Sequence, residues 1–186
     1  MIKELLYNTR SVRRYDSSRK ISYEELRDIA EASRLCPSTA NLQRLRLALV
    51  TEGEVEQGIF DTLSFAALLR PWQGPAEWER PVGYIVIMAN TEADVNLSID
   101  AGIIAEAMLL VARERGIGGC MFRSFNREKL TRVLGKDGFY PLLVISLGYP
   151  GESVVLEDAK DGCLGYYRDE ADVHHVPKLT LDELII

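Results

Sequence analysis

The sequence predicts a three-layer domain of mixed helix and strand, α+β or α/β. Two runs carry most of that prediction, 81–89 and Leu142–Leu147, both apolar and rich in β-branched residues. Such runs suit strands buried on both faces. A third observation is the segment from Asn96 or Ser98 to Gly116, which reads as one helix, apolar nearly all round. A helix of that kind belongs at the centre of a fold or in an interface. The length of 186 residues suits one domain, 1–186, with a core large enough to need neither disulfides nor structural metal.

The other elements follow in order. Ile2, Leu5, Leu6 and Thr9 share a helical face, so 2–9 forms a short helix. Ser22 and Glu25 form a capping box, and Leu26, Ile29, Ala30 and Ser33 continue at helical spacing until Pro37. Leu45–Val50 alternates in part and predicts a strand. Val55–Leu69 predicts a helix, with Ile59, Leu63 and Ala66 on one face, and Pro71–Pro75 a loop. Ile117–Phe122 predicts a short strand. Asn126 caps a helix that Gly135 ends. The tail, 151–186, reads as mostly irregular with a short apolar end at Leu181–Ile186.

Composition narrows the function. Hydrophobic residues make up 47% and charged residues 27%, the net charge is −6 and the pI is near 5.1. An acidic chain without interleaved basic and aromatic residues argues against a nucleic-acid partner. The charge is uneven, however. Residues 1–50 carry ten Lys/Arg against six Asp/Glu, which is compatible with a local anion site. The opening residues lack a signal-peptide core, and no run of eighteen apolar residues suggests a membrane span. Cys36, Cys120 and Cys163 fit neither a disulfide framework nor a zinc spacing, so the expectation is a cytoplasmic protein with reduced thiols.

Two segments have useful chemistry. In Arg10-Ser11-Val12-Arg13-Arg14, Arg10 and Arg13 can converge on one anion beside the Ser11 hydroxyl, and guanidinium forks suit phosphate oxygens. A solvated basic turn has the same composition. After Pro37, the side chains of Ser38, Thr39, Asn41 and Gln43 offer donors and acceptors for a heterocycle, although such residues also end helices. Gly116–Gly119 follows a helix and enters a strand, the reverse of a dinucleotide loop. His174 and His175 have no evident third metal ligand, and Asp169, Glu170 and Asp172 read as solvated. No nucleophile elbow, P-loop or Cys/His pair is present.

Taken in order, these segments resemble the nitroreductase family of flavoproteins. Arg10-Ser11-Val12-Arg13-Arg14-Tyr15 is similar to its Arg-Arg-Ser-x-Arg pattern. Cys36 through Gln43 is similar to its Ala-Pro-Ser-x-x-Asn-x-Gln-Pro segment. Asp100-Ala101-Gly102, Gly116–Met121, Ser146–Pro150 and Val176-Pro177-Lys178 follow in family order. The resemblance implies an α+β fold with a mainly antiparallel central sheet flanked by helices, in an intertwined homodimer. It implies FMN between the subunits and NADH or NADPH as co-substrate. Arg10, Ser11, Arg13 and Lys178 would hold the phosphate and ribityl chain. Pro37, Ser38, Thr39 and Asn41 would approach the ring from the other subunit, and Met121, Phe122, Arg123 and Ser124 would line its opposite side. The flavin N5 would carry the chemistry, so no catalytic acid–base dyad is expected. The implied cycle is hydride transfer from NAD(P)H, then two-electron reduction of a small acceptor such as a nitroarene or quinone. Thr9, Arg44, Arg123 and Ser124 depart from the pattern. A specialised member (dehalogenase, small-molecule oxidase or flavin-degrading enzyme) and a flavin-binding protein without turnover stay open as alternatives.

Overall fold

The computed structural model describes residues 1–186 except Ala66, Ala67, Arg70 and Pro71. The expected placements of Ala66 on a helix and of Pro71 in a loop therefore lie outside the described residues.

The centre is an antiparallel sheet built from β1 (Leu45–Val50), β2 (Gly83–Ala89), β3 (Gly118–Phe122) and β4 (Tyr140–Gly148), in the order β1-β2-β4-β3. Alternate side chains face opposite layers, as the two-residue strand period requires. Ile85, Ile87, Leu143, Ile145 and Leu147 pack toward α2 (Tyr23–Glu31) and α4 (Val95–Glu114). Tyr84, Val86, Met88 and Val144 pack with Ile59 of α3 (Glu54–Phe60) and with Leu130 and Leu134 of α5 (Arg127–Leu134). Helices cover both faces, which is why β2 and β4 read as continuous apolar runs. The expected α+β architecture with an antiparallel sheet is thus the observed one.

Local signals explain most helix ends. In α2 the Ser22 hydroxyl accepts from Glu25 N–H at 3.1 Å, and Glu25 accepts from Ser22 N–H at 2.8 Å. An N-cap of this kind stabilises a helix by about 1 kcal/mol. Asn126 caps α5, and Gly135 ends it in the left-handed region at φ 56°. The short α1 (Ile2–Asn8) also forms as expected.

Three expectations need correction. The helix predicted from Val55 to Leu69 ends at Phe60, where the Thr62 hydroxyl turns back to Ile59 O at 2.7 Å. The cap of α4 is Asp94, not Asn96 or Ser98, and its carboxylate accepts from Leu97 N–H at 2.7 Å. The tail is not mostly irregular. β5 (Val154–Asp158) pairs in parallel with β7 (His174–Lys178), β6 (Tyr167–Arg168) pairs antiparallel with β7, and α6 (Leu181–Leu184) follows.

Although no eighteen consecutive residues are apolar, α4 is long and apolar enough in composition to cross a membrane. Its Leu97, Ala101, Ile104, Ala105, Met108 and Ala112 face is buried in the domain. Its other face leaves Val95, Ile99 and Ile103 exposed.

Candidate functional site

The basic segment forms an arm along the free edge of β3. Ser11 bridges Gly119 in parallel, and Val12 N–H donates to Gly119 O at 3.0 Å. The arm then crosses the end of β4, where Gly151 N–H donates to Arg14 O at 2.8 Å. Tyr15 anchors it from below. Its hydroxyl donates to Val12 O at 2.5 Å and lies 2.7 Å from Ser146 Oγ, with the ring buried.

Glycines make this approach possible. A Cβ on Gly118 would sit 2.8 Å from Val12, and one on Gly148 would sit 2.6 Å from the Tyr15 ring. On Gly151 it would lie 2.9 Å from the Tyr15 backbone. On Gly119 it would meet Ser146 O at 2.8 Å. The two glycines that open β3 therefore serve close packing, whereas Gly116 before them has a positive φ and open space around it.

Arg10, Ser11 and Arg13 share this arm. Arg10 donates to Leu6 O at 2.7 Å, while its Nε is buried without a hydrogen-bond partner among the described residues. Burial lowers the Arg10 pKa, against the opposing pull of Glu106 and Tyr7. Ser11 is exposed, and the Arg13 guanidinium lies 5.2 Å from the centre of the Tyr166 ring. Two guanidinium groups and a hydroxyl are a donor set suited to a phosphate dianion.

Pro37, Ser38, Thr39 and Asn41 form a tight turn before β1. Ala40, Asn41 and Gln43 all adopt positive φ, at 48°, 54° and 48°. Three such non-glycine residues within four positions are costly, and conformations of this kind cluster at ligand sites. Thr39 anchors the turn on Asp100 of α4, donating through N–H and hydroxyl at 3.0 and 2.9 Å. Gln43 Nε2 reaches Asn41 Oδ1 at 3.1 Å, and Arg44 pairs with Asp94 at 2.9 Å. Pro37, Ser38, Arg44 and Asp100 line a cleft of about 200 Å³.

One chain does not bring the arm and the turn together. The turn leads into β1 at Leu45, level with Ala89 and Tyr140, whereas Ser11 lies beyond β3, level with Leu147. These are diagonally opposite corners of the sheet, about 19 Å apart across the strands and about 25 Å along them.

The end of β3 holds the third group. Met121 is half-buried toward the α2/α4 layer, and Arg123 and Ser124 are exposed. The Phe122 ring points into the core against Phe65, with centroids 5.1 Å apart, so its backbone is the part left for a ligand. Lys178 ends β7, exposed and without an ion pair among the described residues. Four steps along the strand, about 13 Å, separate it from His174 beside the arm.

The pattern of the Nitroreductase family matches residues 6–149. The chain belongs to the nitroreductase family. A provisionally named NADH dehydrogenase/NAD(P)H nitroreductase of Archaeoglobus fulgidus is 28% identical over 168 residues, spanning 85% of this chain and 90% of its own. The crystal structure of a nitroreductase family protein from Streptococcus pneumoniae superposes with a TM-score of 0.71 at 17% identity, covering 100% of this chain and 99% of that one. A provisionally named nitroreductase from Exiguobacterium sibiricum, solved in complex with FMN, gives 0.66 at 19% identity, covering 82% and 89%.

Nitroreductase-like motifs account for the arm and the turn, but not for what holds them. Asp100 is 2% exposed and bonds Thr39, a pairing that a separation of 61 positions hides from sequence spacing. Glu152 lies outside the matched segment. One of its oxygens, Oε1, accepts from both Arg13 N–H and Arg14 N–H, the latter at 3.0 Å, and the other pairs with Arg168. Asp169 and Asp172 are exposed, as expected, and are engaged as well. Asp172 pairs with Arg14 and, at 3.3 Å, with Arg168. Asp169 accepts from Ala171 and Val173 N–H, which hold its pKa down.

The two histidines face different surroundings. His174 is fully buried, neither ring nitrogen has a hydrogen-bond partner among the described residues, and burial pushes its pKa down to about 4. His175 sits between Glu157 at 3.0 Å and Asp169 at 3.2 Å, which raise its pKa. Among the described residues no His, Cys, Asp and Glu group is arranged to hold a metal ion.

Proposed function

We propose that the protein is an FMN-dependent oxidoreductase, moving two electrons from NADH or NADPH to small electron-poor acceptors such as nitroarenes or quinones. The working unit is a homodimer of chains that each form one domain, 1–186. The observation carrying this reading is the separation of arm and turn to opposite corners of one sheet. Two chains, each lending one corner, complete a site that one chain leaves in halves.

Arg10, Ser11 and Arg13 hold the FMN phosphate, joined by Lys178. The buried, unpaired Nε of Arg10 supports this assignment, because a buried donor without an acceptor costs stability until one arrives. Pro37, Ser38, Thr39 and Asn41 of the second chain cover one side of the ring. Met121, the Phe122 backbone and Ser124 flank the other. FMN, when bound, supplies the two-electron carrier. The chain's own residues bind it, orient it and admit flat molecules to one face.

The exposed α4 stripe of Val95, Ile99 and Ile103 supports the homodimer, since an apolar face beside the site suits a second copy. The test is reconstitution. Purified protein is expected to be yellow, or to take up FMN, and to be bleached by NADH or NADPH without oxygen and reoxidised by a quinone. Arg13→Ala is expected to weaken FMN binding. Protein that never takes up added FMN would overturn the reading.

A further inference from the structure

Glu152 is an unusual group to find beside a phosphate arm. Its side chain is 2% exposed, and a buried carboxylate is costly unless fully paired. Here the pairing is complete. Oε1 receives the successive N–H groups of Arg13 and Arg14, and Oε2 receives the Arg168 guanidinium. Two successive N–H groups thus converge on one carboxylate oxygen, an arrangement that suits an anion. In this chain that place is taken by the chain's own carboxylate.

Two consequences follow. The arm's backbone donors at 13 and 14 are already used, so a ligand phosphate must be read by side chains. The backbone at Arg13 is also held in one conformation, with its guanidinium over Tyr166, whose ring in turn meets His174 edge-on at 5.4 Å. Arg168 is braced by Asp172 and lies 5.5 Å from the centre of the Trp72 ring, which ties the small sheet to the same carboxylate.

We infer that Glu152 is a positioning residue for phosphate recognition, an internal acceptor that holds the arm's two successive backbone N–H groups and thereby presents the Arg13 side chain to the FMN phosphate. This rests on the FMN reading above. It predicts a role in discriminating FMN from riboflavin, which lacks the phosphate, and not in holding the ring.

The experiment measures FMN and riboflavin affinities by flavin fluorescence in the full-length protein. Glu152→Ala is expected to lower the FMN-to-riboflavin affinity ratio by about tenfold, the scale of one charge-assisted hydrogen bond, with riboflavin affinity little changed. Glu152→Gln keeps an oxygen for the two N–H groups and is expected to retain the ratio, whereas the shorter Glu152→Asp is expected to lose it. In an Arg13→Ala background, Glu152→Ala should lower the ratio no further, because the effect runs through Arg13. A ratio unchanged or raised in Glu152→Ala, or a further loss in the double variant, overturns the proposal. If the alanine variant does not fold, the Gln and Asp pair decides, and equal ratios in both overturn it. A wild-type protein that binds neither flavin defeats the FMN reading itself, a result distinct from all of these.

Discussion

Thr39 donates twice to Asp100, through its backbone N–H at 3.0 Å and its hydroxyl at 2.9 Å, and both bonds end on the same carboxylate oxygen. A loop with three positive-φ residues is thereby fastened to the central helix. Asp100→Ala removes the acceptor from two donors at once. The expected loss is about 1–3 kcal/mol of stability, read by chemical denaturation. FMN binding should weaken with it, because the strained turn relaxes. A variant as stable as the parent would show that the turn holds itself.

Tyr15 and Gly148 form a second coupled pair. Gly148→Ala places a methyl within 2.6 Å of the Tyr15 ring and should destabilise the protein by about 1–3 kcal/mol. Tyr15→Phe keeps the ring but loses the bonds to Val12 O and Ser146 Oγ, for about 1 kcal/mol. Thermal unfolding of the two single variants and the double variant checks this. The effects should fall short of additive, since a displaced ring no longer holds those bonds.

The two histidines should give stability opposite slopes with pH. His174 has its folded pKa depressed to about 4, so between there and its ordinary value near 6.5 the unfolded chain binds more protons. Stability is therefore lost as pH falls through that window. His175 has its folded pKa raised, so its contribution is full below 6.5 and is lost as pH rises through the folded value. His174→Phe should flatten the acid limb and His175→Gln the alkaline limb. Denaturation midpoints across pH 4–9 measure both, and unaltered limbs would remove the histidines from the account.

Ile99 and Ile103 lie one turn apart on the outward face of α4. A charge there leaves the chain's own core untouched. Ile99→Asp with Ile103→Asp should convert a two-chain particle into single chains by light scattering, and FMN uptake should fall in step. A single-chain mass for the wild type, with FMN bound, would defeat the two-chain site.

Much of the frame is legible in the sequence because its signals are local. β1 has the expected ends, and α2 and α5 carry their caps within four residues. The small tail sheet is not legible. Its strands are short and polar, and β5 reaches β7 only across a long excursion. α3 is overextended because apolar spacing continues past Phe60, while Thr62 and the Leu63 bridge to Phe125 redirect the chain. Asp94 is missed as a cap because Asn96 and Ser98 offer similar chemistry nearby. For the candidate site, residue types are legible but distances are not. Nothing in the order of residues tells that Arg13 and Asn41 end at opposite corners, or that Glu152 closes onto the arm.

Gly118, Gly148 and Gly151 seat the arm, and Gly119 seats β3 against β4 and α4, through the side chains they lack. A residue that touches a ligand can sometimes be exchanged for another with similar donors. A residue chosen for having no side chain has no such neighbour in chemical space, because the smallest change, to alanine, already collides. These four positions should therefore be among the least tolerant in the chain under saturation mutagenesis. Arg10 and Arg13, which offer charge at the end of a flexible stem, should accept lysine with only a partial loss. Laboratory evolution of a new acceptor preference would then find its room in the turn and at the end of β3, with the glycine bed left as it is.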